Sequence, residues 1–265
     1  MSSSSSHSHS PSPPSAPCSR SWSISDESLK RYVQFASESC IQELLSASVS
    51  NRTLHGNEGW KVLGRANNGV EVSRRRSGSL HTFRSRWVLE SVSPQQFIAV
   101  ATAIDAAKQW DSDLVEAKYI KDLEDNLSII RLRFGDNSKP LFRNREFIVY
   151  ERRETMEDGT LVVAVASLPK EIAAGLHPKQ SNTIRGLLLQ SGWVVEKVEE
   201  HSCSVTYVIQ AHDLELLPIL VHPVLSDGLF ISNYCLHTSM FAVLEALVQR
   251  RWDDSVSMNP LPTQK

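Results

Sequence analysis

The side chains able to do chemistry are present in this chain, but not in catalytic company. His81, His177, His201, His212, His222 and His237 are scattered without the spacing of metal ligands. The four cysteines, Cys18, Cys40, Cys203 and Cys235, match neither a zinc site nor a disulfide framework. No Gly-x-Ser-x-Gly elbow, phosphate loop or dinucleotide fingerprint occurs, so the sequence calls for no cofactor. His212-Asp213 could serve as a base for a nearby Ser or Cys, or be an ordinary histidine at a strand end. The carboxyl of most interest is Glu151. Strand alternation puts Arg145, Phe147, Val149 and Glu151 on one face, with Phe147 and Val149 as its apolar middle. A carboxylate in apolar surroundings needs a partner or a raised pKa. Arg131 and Arg133, on one face of the preceding strand, are the candidate partners; the other reading leaves Glu151 in water at a strand end.

The elements that must position these groups follow from periodicity. A helix begins at Ser25 or Asp26, with Leu29, Tyr32, Val33, Phe35, Ala36, Ile41, Leu44 and Leu45 as its apolar stripe. Strands follow at 60–65, 70–76 and 83–92, the first two joined at Asn67-Asn68-Gly69. Ser93-Pro94 opens a second helix. Strands are then expected at 114–123, 127–134, 145–155 and 160–168, with Asp158-Gly159 as a hairpin turn. Residues 169–182 read as a loop, and 183–199 and 203–213 as the last strand pair. From Leu214 to Trp252 the pattern is helical, broken by Pro218, Pro223 and Gly228. Gly228 to Leu244 holds no Asp, Glu, Lys or Arg, but Asn233 and His237 interrupt it, so it reads as a packed helix rather than a membrane span.

Antiparallel hairpins dominate, which defines an α+β fold. A curved sheet closed by one long helix makes a cavity, and apolar walls suit a greasy small molecule. Trp193 and Tyr207 on the last strands, and Met240, Phe241 and Leu244 on the last helix, are candidate walls or plain core. A ligand burying about 400 Å² of apolar surface would gain on the order of 10 kcal/mol before the costs of binding. Release then needs an opening motion or an accepting membrane.

Composition narrows the partners. The chain has 265 residues, 41% of them hydrophobic, and a net charge of −2. That balance gives no reason to expect nucleic acid. Arg74-Arg75-Arg76, the most basic run, could touch anionic headgroups transiently or be a solvated strand end. Residues 1–22 are Ser, Pro and His with almost no apolar content and read as a disordered tail. Free thiols and no secretory signal suggest a cytoplasmic monomer; the Ser-rich start leaves organelle targeting as the alternative. One domain over 23–252 and a flexible tail over 253–265 complete the plan.

In order and spacing, Trp110-Asp111, Arg145-Glu146-Phe147, the strand ending in Ser167, Ile184-Arg185-Gly186, and Thr206-Tyr207-Val208 leading to Asp213 resemble the START, or StAR-related lipid-transfer, family over about residues 55–252. The resemblance implies a helix-grip fold, in which a bent antiparallel sheet wraps a long C-terminal helix. It implies a tunnel for one lipid or sterol, carried between membranes or sensed, generally without chemistry. Related helix-grip folds include cyclases and hydrolases, so an enzyme acting on the same ligand stays open. The chain departs from the family at Asp213-Leu-Glu-Leu-Leu-Pro218, where a Gly often precedes the Pro, and in carrying Pro223. It departs again at Glu151, where several sterol-binding members have an Arg.

Overall fold

The structure is a computed structural model; it describes residues 24–49, 59–65, 69–104, 107–108, 114–135, 145–179 and 183–211. Both expected terminal tails, Trp110-Asp111, the expected last helix and its candidates Met240, Phe241 and Leu244 lie outside the described residues.

Helix α1 runs Asp26–Ser48, and its N-terminus is set by Ser25, whose Oγ accepts the Ser28 N–H at 3.3 Å. Leu29, Val33, Ile41 and Leu44 are buried as the stripe demands, but Phe35 is 84% exposed. The buried face is completed instead by small residues, Ser37, Cys40 and Ala47, which let the helix lie close to the sheet. Helix α2 spans Pro94–Ala101 behind a full capping box: Gln96 N–H donates to Ser93 Oγ, and the Ser93 N–H donates to Gln96 Oε1.

Ten strands form one sheet: β1 (Lys61–Arg65), β2 (Glu71–Ser77), β3 (Leu80–Leu89), β4 (Leu114–Glu124), β5 (Leu127–Phe134), β6 (Arg145–Thr155), β7 (Leu161–Ser167), β8 (Ile184–Arg185), β9 (Gln190–Glu199) and β10 (Ser202–Ala211). Their order is β1-β2-β3-β10-β9-β7-β6-β5-β4, every neighbour antiparallel; β8 pairs with β6 in parallel. Pairing of β3 with β10 joins the first hairpins to the last, so the sheet is a single continuous surface. The β6–β7 turn is the expected one: Gly159 takes φ +85°, and Asp158 accepts the Thr160 N–H at 2.9 Å.

Two expectations are corrected. The segment 169–182 holds a third helix, α3 (Lys170–Leu176), which packs Ile172 and Ala173 beside α1. The single strand expected over 183–199 is broken into β8 and β9. The break lies at Gly186, which presses so closely on Phe147 that a Cβ there would sit 2.4 Å from the ring.

The sheet has two faces with different cover. α1 and α3 pack on one, against Ile129, Ile148, Tyr150, Ala164, Val194 and Val208. There the fit is tight: a Cβ on Gly192 would lie 1.9 Å from the Val163 carbonyl oxygen and 2.8 Å from Leu44 Cδ1. α2 covers one end of the other face, where Phe97 meets Trp87 and Trp193 edge-on.

Candidate functional site

Strand β6 carries the two groups that matter, and alternation separates them. Arg145, Phe147, Val149, Glu151 and Arg153 point to the face opposite α1; Glu146, Ile148 and Tyr150 point to the α1 face. Cross-strand register then places β5. Phe147 faces Leu132 and Val149 faces Ile130, while Arg131 faces Ile148 and Arg133 faces Glu146.

Neither reading of Glu151 holds: it is buried rather than in water, and the candidate ion pair with Arg131 and Arg133 does not form. Arg131 and Arg133 lie on the α1 side, across the sheet from Glu151, and form no pair with it. Arg131 serves Glu146 instead. Its Nε donates to Glu146 Oε2 at 2.5 Å, and its Nη1 donates to Glu116 at 3.3 Å. Arg185 approaches the other oxygen, donating Nε and Nη2 to Oε1 at 3.1 and 2.8 Å. His177 Nε2 stands 3.3 Å from Oε2. Glu146 is wholly buried, and the Arg131 and Arg185 donors, with His177 close by, are what make a charge tolerable there. The same carboxylate explains why Arg145-Glu146-Phe147 and Ile184-Arg185-Gly186 occur together. Glu146 binds Arg185, its carbonyl accepts the Gly186 N–H at 2.8 Å, and Gly186 lies on Phe147.

Glu151 has no such ring. It is 7% exposed, beside Ser128 on β5 and Val165 on β7. Ser128 turns its hydroxyl away, to Asp122 at 2.9 Å. Arg153 Nε lies 3.5 Å from Glu151 Oε1, and neither atom has a hydrogen-bond partner. Burial pushes the Glu151 carboxyl up to about 7, against the smaller opposing pull of Arg153. Near neutral pH the group can therefore accept a hydrogen bond as a carboxylate or donate one as an acid.

Around it the face is apolar. Phe83, Ile130, Phe147, Val149 and Ile209 form one cluster, with Tyr207 and Val165 packed on its border. Arg145 stands at the far end of the β6 row, its Nε without an acceptor. The row thus runs charged, apolar, apolar, charged. Trp193 belongs to the neighbouring cluster under α2, its ring centroid 4.3 Å from that of Tyr207 and tilted 34° to it, and edge-on to Trp87 and Phe97. Its contacts are those of a core aromatic. The Tyr207 oxygen accepts from Ser191 Oγ at 3.3 Å, a second polar point on this face.

An open groove of about 500 Å³ lies at the β4–β5 hairpin, lined by Tyr119, Asp122, Glu124, Asp125, Ser128 and Arg153 among others. It is a polar groove that borders Glu151, not the apolar hollow expected. The helix expected to close that hollow falls outside the described residues. Among the described residues, no three His, Cys, Asp or Glu side chains are grouped to hold a metal ion, and no helix is long and apolar enough to cross a membrane.

Sequence reasoning missed Arg153 as the neighbour of Glu151, and Arg185 and His177 beside Glu146. Arg153 was accessible, since it continues the alternation of Glu151. Arg185 and His177 were not, because a parallel two-residue strand and a short helix bring them in.

The mostly antiparallel sheet, with α1 and α2 on opposite sides, defines a START-like fold. A family model, the START domain, matches residues 40–231, and the chain belongs to that family. Among solved structures it is similar to human StAR-related lipid transfer protein 5 (17% identity, 83% of this chain and 98% of that one, TM-score 0.64). It is also similar to human STARD10 (18% identity, 84% and 88%, TM-score 0.61). A third is a STAR-related lipid transfer protein fragment from Xanthomonas axonopodis (17% identity, 72% and 99%, TM-score 0.53). No curated protein matches the chain in sequence.

Proposed function

We propose that this protein binds one lipid or sterol-like molecule against the sheet face opposite α1, and carries it between membranes or senses it without altering it. The observation that carries the reading is Glu151: a carboxyl buried on an apolar face, with an oxygen that nothing hydrogen-bonds. Nearly all buried polar groups are satisfied, so an orphan on such a face suits a ligand's hydroxyl or amide. Membership of the START family and the lipid-transfer names of similar folds support the same reading.

In this proposal Phe147, Val149 and Tyr207 contact the apolar body of the ligand, and Glu151 with Arg153 holds its polar end. Met240, Phe241 and Leu244 would supply the opposing wall. Arg131 and Arg133 drop out, because they lie on the other face; Trp193, on the ligand face beside Tyr207, serves as wall or core. The protein would work as a cytoplasmic monomer that meets membranes transiently. Native mass spectrometry of protein purified from its own cells, followed by lipid extraction, tests this. The expected result is one bound lipid, recovered unchanged after incubation. A chemically altered ligand would instead mark an enzyme, and a protein that stays empty in the presence of cell lipids would end the proposal.

A further inference from the structure

The β1–β3 edge of the sheet is unusually rich in cations. Its described residues carry Lys61, Arg65, Arg74, Arg75, Arg76, Arg84 and Arg86 against a single acid, Glu71. Four of the seven are occupied. Arg84 Nη1 and Arg86 Nη2 donate to the Ala47 and Ser48 carbonyls at 2.9 and 2.7 Å, capping the C-terminus of α1 from another element. Arg75 reaches Glu43 at 3.3 Å and lies over the Trp60 ring. Arg65 binds Glu71 at 2.6 Å.

Lys61, Arg74 and Arg76 remain. Lys61 is paired directly with Arg74 across β1 and β2, so two like charges share one face. Neither has an acidic partner among the described residues. Arg76 donates only to the Gly78 carbonyl, at 2.9 Å, and stands opposite His81. Like charges set face to face cost stability, and no acid among the described residues relieves this cluster. Burial and the charges of Arg74 and Arg76 together hold the His81 imidazole below its usual range.

Two features say what covers this edge. The cluster is carried by edge strand β1 and its neighbour, on the face that Phe83 shares. The apolar face described above reaches the same edge, because Leu63 packs against both of its clusters. Cations in line with apolar surface fit a layered partner, anionic on the outside and hydrocarbon beneath. We propose that Lys61, Arg74 and Arg76 dock the β1–β3 edge on a bilayer containing anionic lipid. This rests on the carrier reading for its membrane contact and names the surface that makes it; docking needs no cargo, so its test can fail while ligand binding stands.

The test is sedimentation of the full chain with phosphatidylcholine vesicles, with and without about one-fifth phosphatidylserine. Binding should require the anionic lipid and weaken steeply as salt rises from about 0.05 M to about 0.5 M. Replacing Lys61, Arg74 and Arg76 by Gln should lower affinity about fivefold for each cation removed. Arg74→Lys with Arg76→Lys should retain binding, which keeps the test valid if the Gln variant does not fold. Lys118→Gln on the opposite edge, where Lys118 is already paired with Glu116 at 2.6 Å, should have no effect. Equal binding to neutral vesicles, equal loss with Lys118→Gln, or displacement from vesicles by a short RNA would each overturn the proposal.

Discussion

Glu146 and Glu151 stand on the same strand, are both buried, and face opposite sides of the sheet. Glu146 is ringed by Arg131, Arg185 and His177 in a layer sealed by α1 and α3. Glu151 has Arg153 alone, at a distance too long for a hydrogen bond, among apolar neighbours. The first is a structural group, saturated and inward-looking. The second keeps an unused oxygen on the apolar face opposite α1. The contrast teaches that burial alone does not mark a site; the state of the partners does.

The comparison breaks most easily at Glu146. Glu146→Ala takes the carboxylate from the buried Arg131 and the half-buried Arg185, and about 3–5 kcal/mol of stability should be lost in urea unfolding. A loss below about 1 kcal/mol would mean that the network is incidental. At Glu151 the sign reverses. Its folded pKa lies above the ordinary carboxyl value, so the proton is bound more tightly in the folded state. The stability it confers is full below about pH 4.5 and declines as pH rises toward about 7. Glu151→Gln should therefore leave stability unchanged at acid pH and raise it above neutrality, by up to about 3 kcal/mol. It should also change ligand affinity, which Glu146→Gln should do only by unfolding the protein.

Gly192→Ala tests the packing of the α1 face. The added methyl meets the Val163 carbonyl and Leu44, and a loss of about 2 kcal/mol is expected from thermal or urea melts. The smallest effect belongs to Arg153. Its side chain is 35% exposed, so Arg153→Gln should cost less than about 1 kcal/mol. Carboxyl NMR should nonetheless show Glu151 titrating at higher pH once that cation is gone.

Much of this was legible in the sequence. Ser25, Ser93-Pro94 and Asp158-Gly159 mark element ends by local chemistry, and they mark them correctly. The β6 row from Arg145 to Glu151 also follows, because period two holds within one strand. What alternation cannot give is the phase between strands. Odd residues of β5 share a face with even residues of β6, which moved Arg131 and Arg133 away from Glu151. On β4 three register shifts leave no simple parity to read. Helix α3 was hidden between Pro169 and Pro178, too short for a periodic stripe and without a side-chain cap. Phe35 fits the helical stripe but faces water, because small residues govern where α1 meets the sheet.

Photolabelling with a diazirine-bearing lipid, followed by peptide mapping, puts the central claim to its most direct test. Adducts should fall on Phe147, Val149, Val165 and Tyr207, and should shift or weaken in Glu151→Gln. Labelling confined to the α1 face, at Tyr150, Ala164 or Val194, or labelling that Glu151→Gln leaves untouched, would contradict the account.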